Sequence, residues 1–411
     1  MTAGFLCMED ISRTFPAPAA GITAAMICEY NPFHNGHRYH IGKTRELYGA
    51  ENIIAVMSGS FVQRGDCAVY TKQTRAKAAL MCGADLVIEL PLPWSMSPAE
   101  CFAFGGVSLA AALGADMLSF GSECGDIGRL SAAADILEDP RLYELTRGLQ
   151  KEGISFAAAR SRAAAELAGE DTASALETPN DILGVEYIRA INRTGCGIIP
   201  VCVRREGAGH DRPAQGDSQY ISASQLRARI RAGRTEKIRA GVPENAAELY
   251  ENAGVMSLER IDRLIVSELR QMSRGRLAAL PDVSEGLENR LYDAAGRAAS
   301  FEELCEAVKS KRYAMSRVRR VILGAALGIP AGLGKTSPPY IRLLGMNARG
   351  EELVRKGFGL PVVAGYKDTE TLSGTAREVY ELNRRASEIF AMCAERPLGR
   401  GCDFAGGVIK L

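Results

Sequence analysis

A chain of 411 residues with net charge +1 and 24% charged side chains has room for two or three domains and a large core, and shows no excess of either charge. Nucleic-acid binding must then come from local basic clusters, and no run of about 18 apolar residues offers a membrane span. Eleven cysteines, scattered through apolar and helical stretches with no disulfide or zinc spacing, point to reduced thiols of a cytoplasmic protein.

Residues 1–20 include Glu9, Asp10 and Arg13 and lack a continuous apolar stretch, so they read as a loose leader and not as a secretory signal. Residues 25–42, AMICEYNPFHNGHRYHIG, then give a short apolar strand, a loop and a helix start. Three of the four histidines, His34, His37 and His40, lie here. At such a junction backbone N–H groups and the positive end of a helix dipole converge on one spot, which suits an anion. Pro32 fixes the approach, Gly36 lets the backbone come close, and His34 and His37 are placed to donate to phosphate oxygens that gain charge in a transition state. A structural or metal-binding His pair is the alternative; no HExxH, CxxC or further His cluster supports it, and His-x-Gly-His directly after a strand favours nucleotide.

Asn52–Met57 reads as a second buried strand, followed by the loop from Ser58 to Asp66. Thr74–Cys82 is helical, Ala84–Leu90 a third strand, Ala99–Leu113 a helix and Met117–Phe120 a strand ending at Gly121. Strands alternating with helices at this spacing predict a Rossmann-like parallel sheet, with ligands at the carboxyl ends of its strands. No GxGxxG or Walker A motif occurs, which removes the dinucleotide and P-loop readings.

Residues 126–175 read as mainly helical. Asn180 or Asp181 is placed as the cap of the next helix, and capping alone is the plain account of Asn180. Gly197–Val203 is a further strand, ending in Arg204 and Arg205, a pair suited to phosphates. In Ile221-Ser222-Ala223-Ser224-Gln225-Leu226-Arg227, the serines precede a helix with Arg227 in its first turn; either they form an N-cap only, or Ser222, Ser224 and Arg227 hold a second phosphate.

From residue 245 the pattern turns helical, with amphipathic helices expected over Glu248–Met272 and Ser284–Val308. Two stretches are basic: Gln225–Gly241, and Lys309–Arg320 with Lys309, Lys311, Arg312, Arg317, Arg319 and Arg320 around Tyr313. Each suits a phosphate backbone, with Tyr313 able to stack on a base, or else forms a solvated helix face; the absence of acids in the second favours RNA. Beyond residue 326, short strands over Pro339–Leu344 and Leu360–Ala364 suggest a small α/β unit. The expected division is a leader (1–20), a nucleotide-handling domain (21–244), a helical RNA-binding domain (245–326), for which the resemblance set out below implies tRNA, and a small C-terminal α/β unit (327–411).

HNGH and ISASQLR resemble the HxGH loop and ISSTxxR-like helix start of the nucleotidyltransferase superfamily that includes class I aminoacyl-tRNA synthetases. EYNPFHNGHRYHI, MSGSFVQRGD, TRAKAAL, GADLVIELPLPWS, SFGSE, PNDILGVEYI, SEGLENRL and KRYAMSRVRR resemble, in order, blocks of the tRNA(Met) cytidine acetate ligase family. The resemblance implies a cytoplasmic enzyme that forms acetyl-adenylate from ATP and acetate and acetylates the wobble cytidine of elongator tRNA(Met) to N4-acetylcytidine. It implies catalytic roles for His34 and His37. It also implies ATP along Ile27, Cys28, Glu29, Tyr30, Asn31, Pro32, Phe33, His34, Asn35, Gly36, His37, Arg38, Tyr39 and His40, with Gly121, Asn180, Arg205 and Glu206. Mg2+ is expected on the leaving pyrophosphate, with no ligand named by the sequence. GAGHD is shorter than the family's block, which leaves the roles of His210 and Asp211 open; Gln73 replaces an expected aromatic and Cys67 an expected proline. The alternatives are a small-molecule adenylyltransferase of the phosphopantetheine type and a non-catalytic RNA-binding protein. The oligomeric state stays open.

Overall fold

Alternating strands and helices order the first half of the chain in the computed structural model, which describes residues 21–154, 156–205 and 221–411. β1 (Thr23–Cys28), α1 (Asn35–Tyr48), β2 (Asn52–Ser58), the hairpin strands β3 (Phe61–Val62) and β4 (Asp66–Cys67), α2 (Lys72–Met81), β5 (Leu86–Leu90), α3 (Ala99–Ala112) and β6 (Met117–Ser122) follow in order. Helices α4 to α7 (Ile127–Leu137, Pro140–Lys151, Phe156–Ala168, Glu170–Ser174) precede α8 (Pro179–Thr194) and β7 (Ile199–Arg204). Then come α9 (Ala223–Arg231), α10 (Glu244–Glu251), α11 (Asp262–Arg270), α12 (Arg274–Ala278), α13 (Leu287–Ala295), α14 (Phe301–Val308) and α15 (Met315–Leu327). The chain continues as β8 (Ile341–Met346), α16 (Ala348–Arg355), β9 (Val362–Val363), α17 (Gly374–Ala391), α18 (Cys402–Ala405) and β10 (Ile409–Lys410).

The central sheet runs β10-β8-β5-β2-β1-β6-β7, with β9 also on β8. β5, β2, β1, β6 and β7 are parallel, as expected. The strands after residue 327 do not form a sheet of their own: β8 pairs antiparallel with β5 and extends the central sheet. Its six residues, IRLLGM, are all buried, so pairing at the open edge of β5 satisfies backbone groups that a free edge would leave exposed. The two long helices expected in the middle of the chain are each broken, by the segment 252–261 and by the turn at Gly296.

Strand alternation divides the core across the sheet. Ala25, Ile54, Val56 and Ile88 face α3 and α8, whereas Ala24, Met26, Ala55 and Met57 face the side of α1, α2 and α10. A third core joins the helices α11 to α15 to Leu382, Ala386 and Phe390 of α17, and takes in Phe61, Val62 and Cys67 of the hairpin. The hairpin therefore bridges sheet and helical body.

Two buried cations on α2 hold the carboxyl end of the sheet. Arg75, 0% exposed, donates to the carbonyls of Glu29 (2.7 Å), Ser58 (3.0 Å), Tyr70 (3.2 Å) and Gly59. Burial lowers its pKa to about 10, which leaves it charged at neutral pH. One turn earlier, Lys72 pairs with Glu89 of β5 and Asp403 of α18, both at 2.7 Å. Burial acts against that ammonium, but Asp403 and Glu89 outweigh it and hold the lysine above its ordinary range.

Removing one member of a buried ionic cluster strands the others. Lys72→Met is expected to lose about 3–5 kcal/mol of stability in urea unfolding, and adding Glu89→Leu to recover part of that loss. An unchanged midpoint for the single variant would contradict this account of α2.

Candidate functional site

The order of the sheet reverses at β1, which is followed in sequence by β2 on one side and flanked by β6 on the other. Such a switch point leaves a crevice at the carboxyl ends of the strands. A cleft of about 270 Å³ opens there, with Ile27, Cys28, Glu29 and Tyr30 from the end of β1 on its wall.

His34 precedes the first residue of α1 in extended backbone, φ −136° and ψ 173°. Its ring stacks on that of His37, with centroids 3.7 Å apart and 17° between planes. Glycine between them is a steric requirement, since a Cβ on Gly36 would lie 2.9 Å from Cε1 of His34. The backbone N–H of His34 donates to Nδ1 of His37 at 3.2 Å, so the proton of the neutral ring sits on Nε2. Burial first, then the charges of His34, Arg205 and His40, push the His37 pKa well down. His37 is an uncharged N–H donor at the positive end of a helix.

His40 is fixed by a relay. Thr44 donates its hydroxyl to the carbonyl of His40 at 2.9 Å, so the 2.7 Å contact between Thr44 and Ser119 is a bond that Ser119 donates. Ser119 Oγ then accepts from Nε2 of His40 at 2.9 Å, and Nδ1 is the unprotonated nitrogen. Burial, aided by Arg205, lowers the His40 pKa to about 4.

The opposite wall is apolar in one half, with Phe102, Phe120, Leu183 and Tyr187 beside Gly121 and Asn180. Here Thr178, not Asn180 or Asp181, occupies the cap position of α8, and Pro179 is its first residue. Asp181 instead accepts from the backbone N–H of Glu123 at 2.9 Å and of Cys124 at 3.2 Å, and from the hydroxyls of Ser122 and Thr178. It thereby ties the end of β6 to α8. The Asn180 amide donates to Glu123 Oε1.

The polar half is built by α9. Ser222 accepts from the N–H of Gln225 at 3.3 Å while the Gln225 side chain accepts from the N–H of Ser222 at 3.2 Å, the capping box the spacing implies. Ser222 and Ser224 are bonded at 3.0 Å. Arg227 lies one turn further than expected and donates to the carbonyl of Asn31 at 3.0 Å.

Of the expected residues, Ile27, Cys28, Glu29, Tyr30, His34, Gly36, His37, Tyr39 and His40 reach this cleft. So do Gly121, Asn180, Arg205, Ser222, Ser224 and Arg227. Asn31, Pro32 and Phe33 do not line it, because they are buried under the loop, where the N–H of Phe33 donates to the Tyr250 hydroxyl at 2.9 Å. Asn35 donates to the carbonyl of Ala240 at 3.0 Å, and Arg38 is exposed off the cleft. Glu206, His210 and Asp211 lie outside the described residues. Gln63 and Arg64 line the cleft although no expectation placed them there; their position in a loop leaving a parallel strand was the available signal.

The basic stretch at 309–320 needs correction. Tyr313 is 3% exposed and its hydroxyl donates to the carbonyl of Glu285 at 2.6 Å, so its ring is core and is not presented to a base. Arg317 and Arg320 pair with Asp282 and Arg319 with Glu302; acids distant in sequence supply the partners. Lys309, Lys311 and Arg312 are exposed in the turn before α15. In the first basic stretch, Arg231 pairs with Asp66 and Arg239 with Glu251.

The sequence model of the HIGH nucleotidyl transferase family matches residues 22–401. A protein of Syntrophotalea carbinolica named tRNA(Met) cytidine acetate ligase is 40% identical over 380 residues, 87% of this chain and 89% of its own length. One of the same name from Thermoanaerobacter sp. is 38% identical over 94% of this chain and 99% of its own length. Among solved structures, Thermotoga maritima TmcAL bound with alpha-thio ATP superposes with TM-score 0.85 at 32% identity, covering 95% of this chain and all (100%) of that one. Its apo form gives 0.87 at 33% identity, over 95% and 99%.

The depressed imidazole pKa values have a measurable consequence. An unfolded histidine takes a proton near pH 6.5, so the stability due to half-buried neutral His40 is complete above that pH and is lost as pH falls towards about 4. NMR titration of the free protein should show His40 protonating near pH 4 and His37 also well below 6.5; a step near 6.5 for either would contradict the neutral assignment.

Proposed function

The chain belongs to the HIGH nucleotidyl transferase family and, within it, to the tRNA(Met) cytidine acetate ligases, and from that premise we propose that it joins acetate to the wobble cytidine of elongator tRNA(Met) at the expense of ATP. The observation that carries the chemistry is the stacked His34–His37 pair around Gly36, set between an apolar half-cleft and the start of α9.

The adenine lies against Phe120, Leu183 and Tyr187, and the phosphates run past the start of α1 towards Ser222, Ser224 and Arg227. An acetate oxygen attacks the α-phosphorus; that O–P bond forms as the bond to the bridging oxygen breaks, and pyrophosphate leaves. Negative charge spreads over phosphoryl oxygens, and the neutral N–H of His37 stabilises it by position, with no covalent role for the protein. The exocyclic amine of cytidine then attacks the acetyl carbonyl, AMP departs with the electron pair, and the nitrogen loses a proton. Glu29 is the one carboxylate among the described lining residues, and no cluster of metal-binding side chains occurs among the described residues. That donor set suits Mg2+ entering with the phosphates of its ATP complex.

Exposed Lys309, Lys311 and Arg312 contact tRNA phosphates. The ten described cysteines are free thiols, and no described helix is long and apolar enough to cross a membrane; both accord with a cytoplasmic setting. The relatives carry the ligase name, and small-molecule adenylyl transfer is set aside.

Incubation with bulk tRNA, ATP and labelled acetate should place label in N4-acetylcytidine, with release of AMP and pyrophosphate, read by nucleoside mass spectrometry. His37→Ala should cut adenylate formation by about 100-fold or more, the scale for loss of a donor to a developing oxyanion. Label absent from cytidine, or full activity in that variant, would refute the reading.

A further inference from the structure

We propose that Arg64 is a phosphate-binding residue of this cleft, held opposite the start of α9 by a bracket of arginines from α9 and α15. The inference rests on the ligase reading above and adds a binding residue to its site.

Residues 63–65 connect β3 to β4, and Gln63 and Arg64 both line the cleft, together with Ser222, Ser224 and Arg227. The backbone of this short loop is held on both sides of Arg64. The N–H of Gln63 donates to Oε1 of Glu29 at 3.1 Å. Arg320 donates to the carbonyl of Gln63 at 3.4 Å and Arg319 to that of Gly65 at 3.1 Å. Arg231 holds the Asp66 carboxylate at 2.9 Å. The loop meets α15 without space for a side chain at 65: Gly65 has φ 72°, and a Cβ there would lie 2.6 Å from the backbone nitrogen of Arg320. Arg319 and Arg320, at the end of the basic run, thus act inward, on the backbone of the loop that carries Arg64.

Position within the cleft argues for the outer phosphates. The apolar lining that suits a base comes from α3, β6 and α8, whereas the loop of Arg64 is tied to α9 by the Arg231–Asp66 pair, and the charge of Arg64 acts on Arg227. The charges that act on Arg227 are those of Glu29, Arg64, Asp66 and Arg231, whereas Arg205 acts on His37 and His40. Cations therefore stand at both ends of the His34–His37 pair. A guanidinium is a planar fork matched to two phosphate oxygens, and one placed at the β- and γ-phosphates steadies the pyrophosphate as charge collects on it.

The test is a ladder of nucleotides. Calorimetric binding of AMP, ADP and ATP is measured for the full chain, Arg64→Ala, Arg64→Lys and Arg320→Ala. Arg64→Ala is expected to weaken ATP about tenfold or more, as for loss of a charge-assisted bond, and AMP less than about twofold; Arg64→Lys should recover part of the ATP affinity. Arg320→Ala should weaken ATP selectively as well, and should add little when combined with Arg64→Ala. Equal weakening of AMP and ATP, or unchanged ATP affinity in Arg64→Ala, would overturn the assignment of Arg64. Full additivity in the double variant would overturn the bracket. Unmutated protein that binds no nucleotide would bring down the ligase reading with it, whereas normal binding with a flat ladder in Arg64→Ala overturns this inference alone.

Discussion

Arg75 sits in the one place where the ends of β1 and β2 and the start of α2 must be held together, and it does so through carbonyl oxygens. A buried charge is costly unless its donors are matched, and a guanidinium offers several in a fixed plane. The carbonyls of Glu29, Ser58, Gly59 and Tyr70 supply matching acceptors. The peptide at Glu29 lies where the chain leaves β1 towards His34, so Arg75 fixes the start of the histidine loop from beneath, and Asn31 and Phe33 are held further along it. A lysine could not bridge the same four groups.

Above that anchor, the cleft divides its electrostatic work. His37 and His40 are kept neutral by burial and by neighbouring charges including Arg205, so His37 offers an N–H, and His40, whose N–H is held by Ser119, an unprotonated Nδ1, neither changing protonation across the physiological range. Permanent charge is left to arginines, which stay protonated in proteins. In the proposed placement of ATP, a neutral donor at His37 faces the reacting phosphorus and fixed cations lie further along the phosphates, so that the electrostatic field does not depend on a proton equilibrium. Fixed dipoles and charges of this kind need no reorganisation as charge moves.

How much of this was legible in the sequence follows the range of the interactions involved. The strand–loop–helix with His34, Gly36 and His37, the capping box at Ser222 and the parallel order of the sheet depend on neighbours a few residues apart, and each can be read from spacing. Tyr313 could not, because its burial depends on Glu285 and on a core assembled from six helices. The acid-free text around Arg317, Arg319 and Arg320 suggested a free basic face, yet Asp282 approaches from the turn between α12 and α13 and Glu302 from α14. Asp181 looked like a cap because caps are local; its bonds to Ser122, Glu123 and Cys124 span more than fifty residues of sequence. β8 was recognisable as a strand, but nothing in PYIRLL states which edge it will join.

The pairing of Lys72 with Asp403 also has a consequence in time. Lys72 and Arg75 are three residues apart on α2, one bound to Glu89 and α18 and the other bracing the nucleotide loop. Domains tend to fold as they emerge during synthesis, amino-terminal parts first, yet this helix receives its second carboxylate only from residue 403. On the ribosome, the nucleotide loop near the front of the chain therefore waits for a residue made some 330 positions after Lys72 (403 − 72 = 331) before its supporting helix is complete. A nascent chain already long enough to display His34, His37 and His40 would still lack Asp403, the second partner of Lys72 on the helix that carries Arg75.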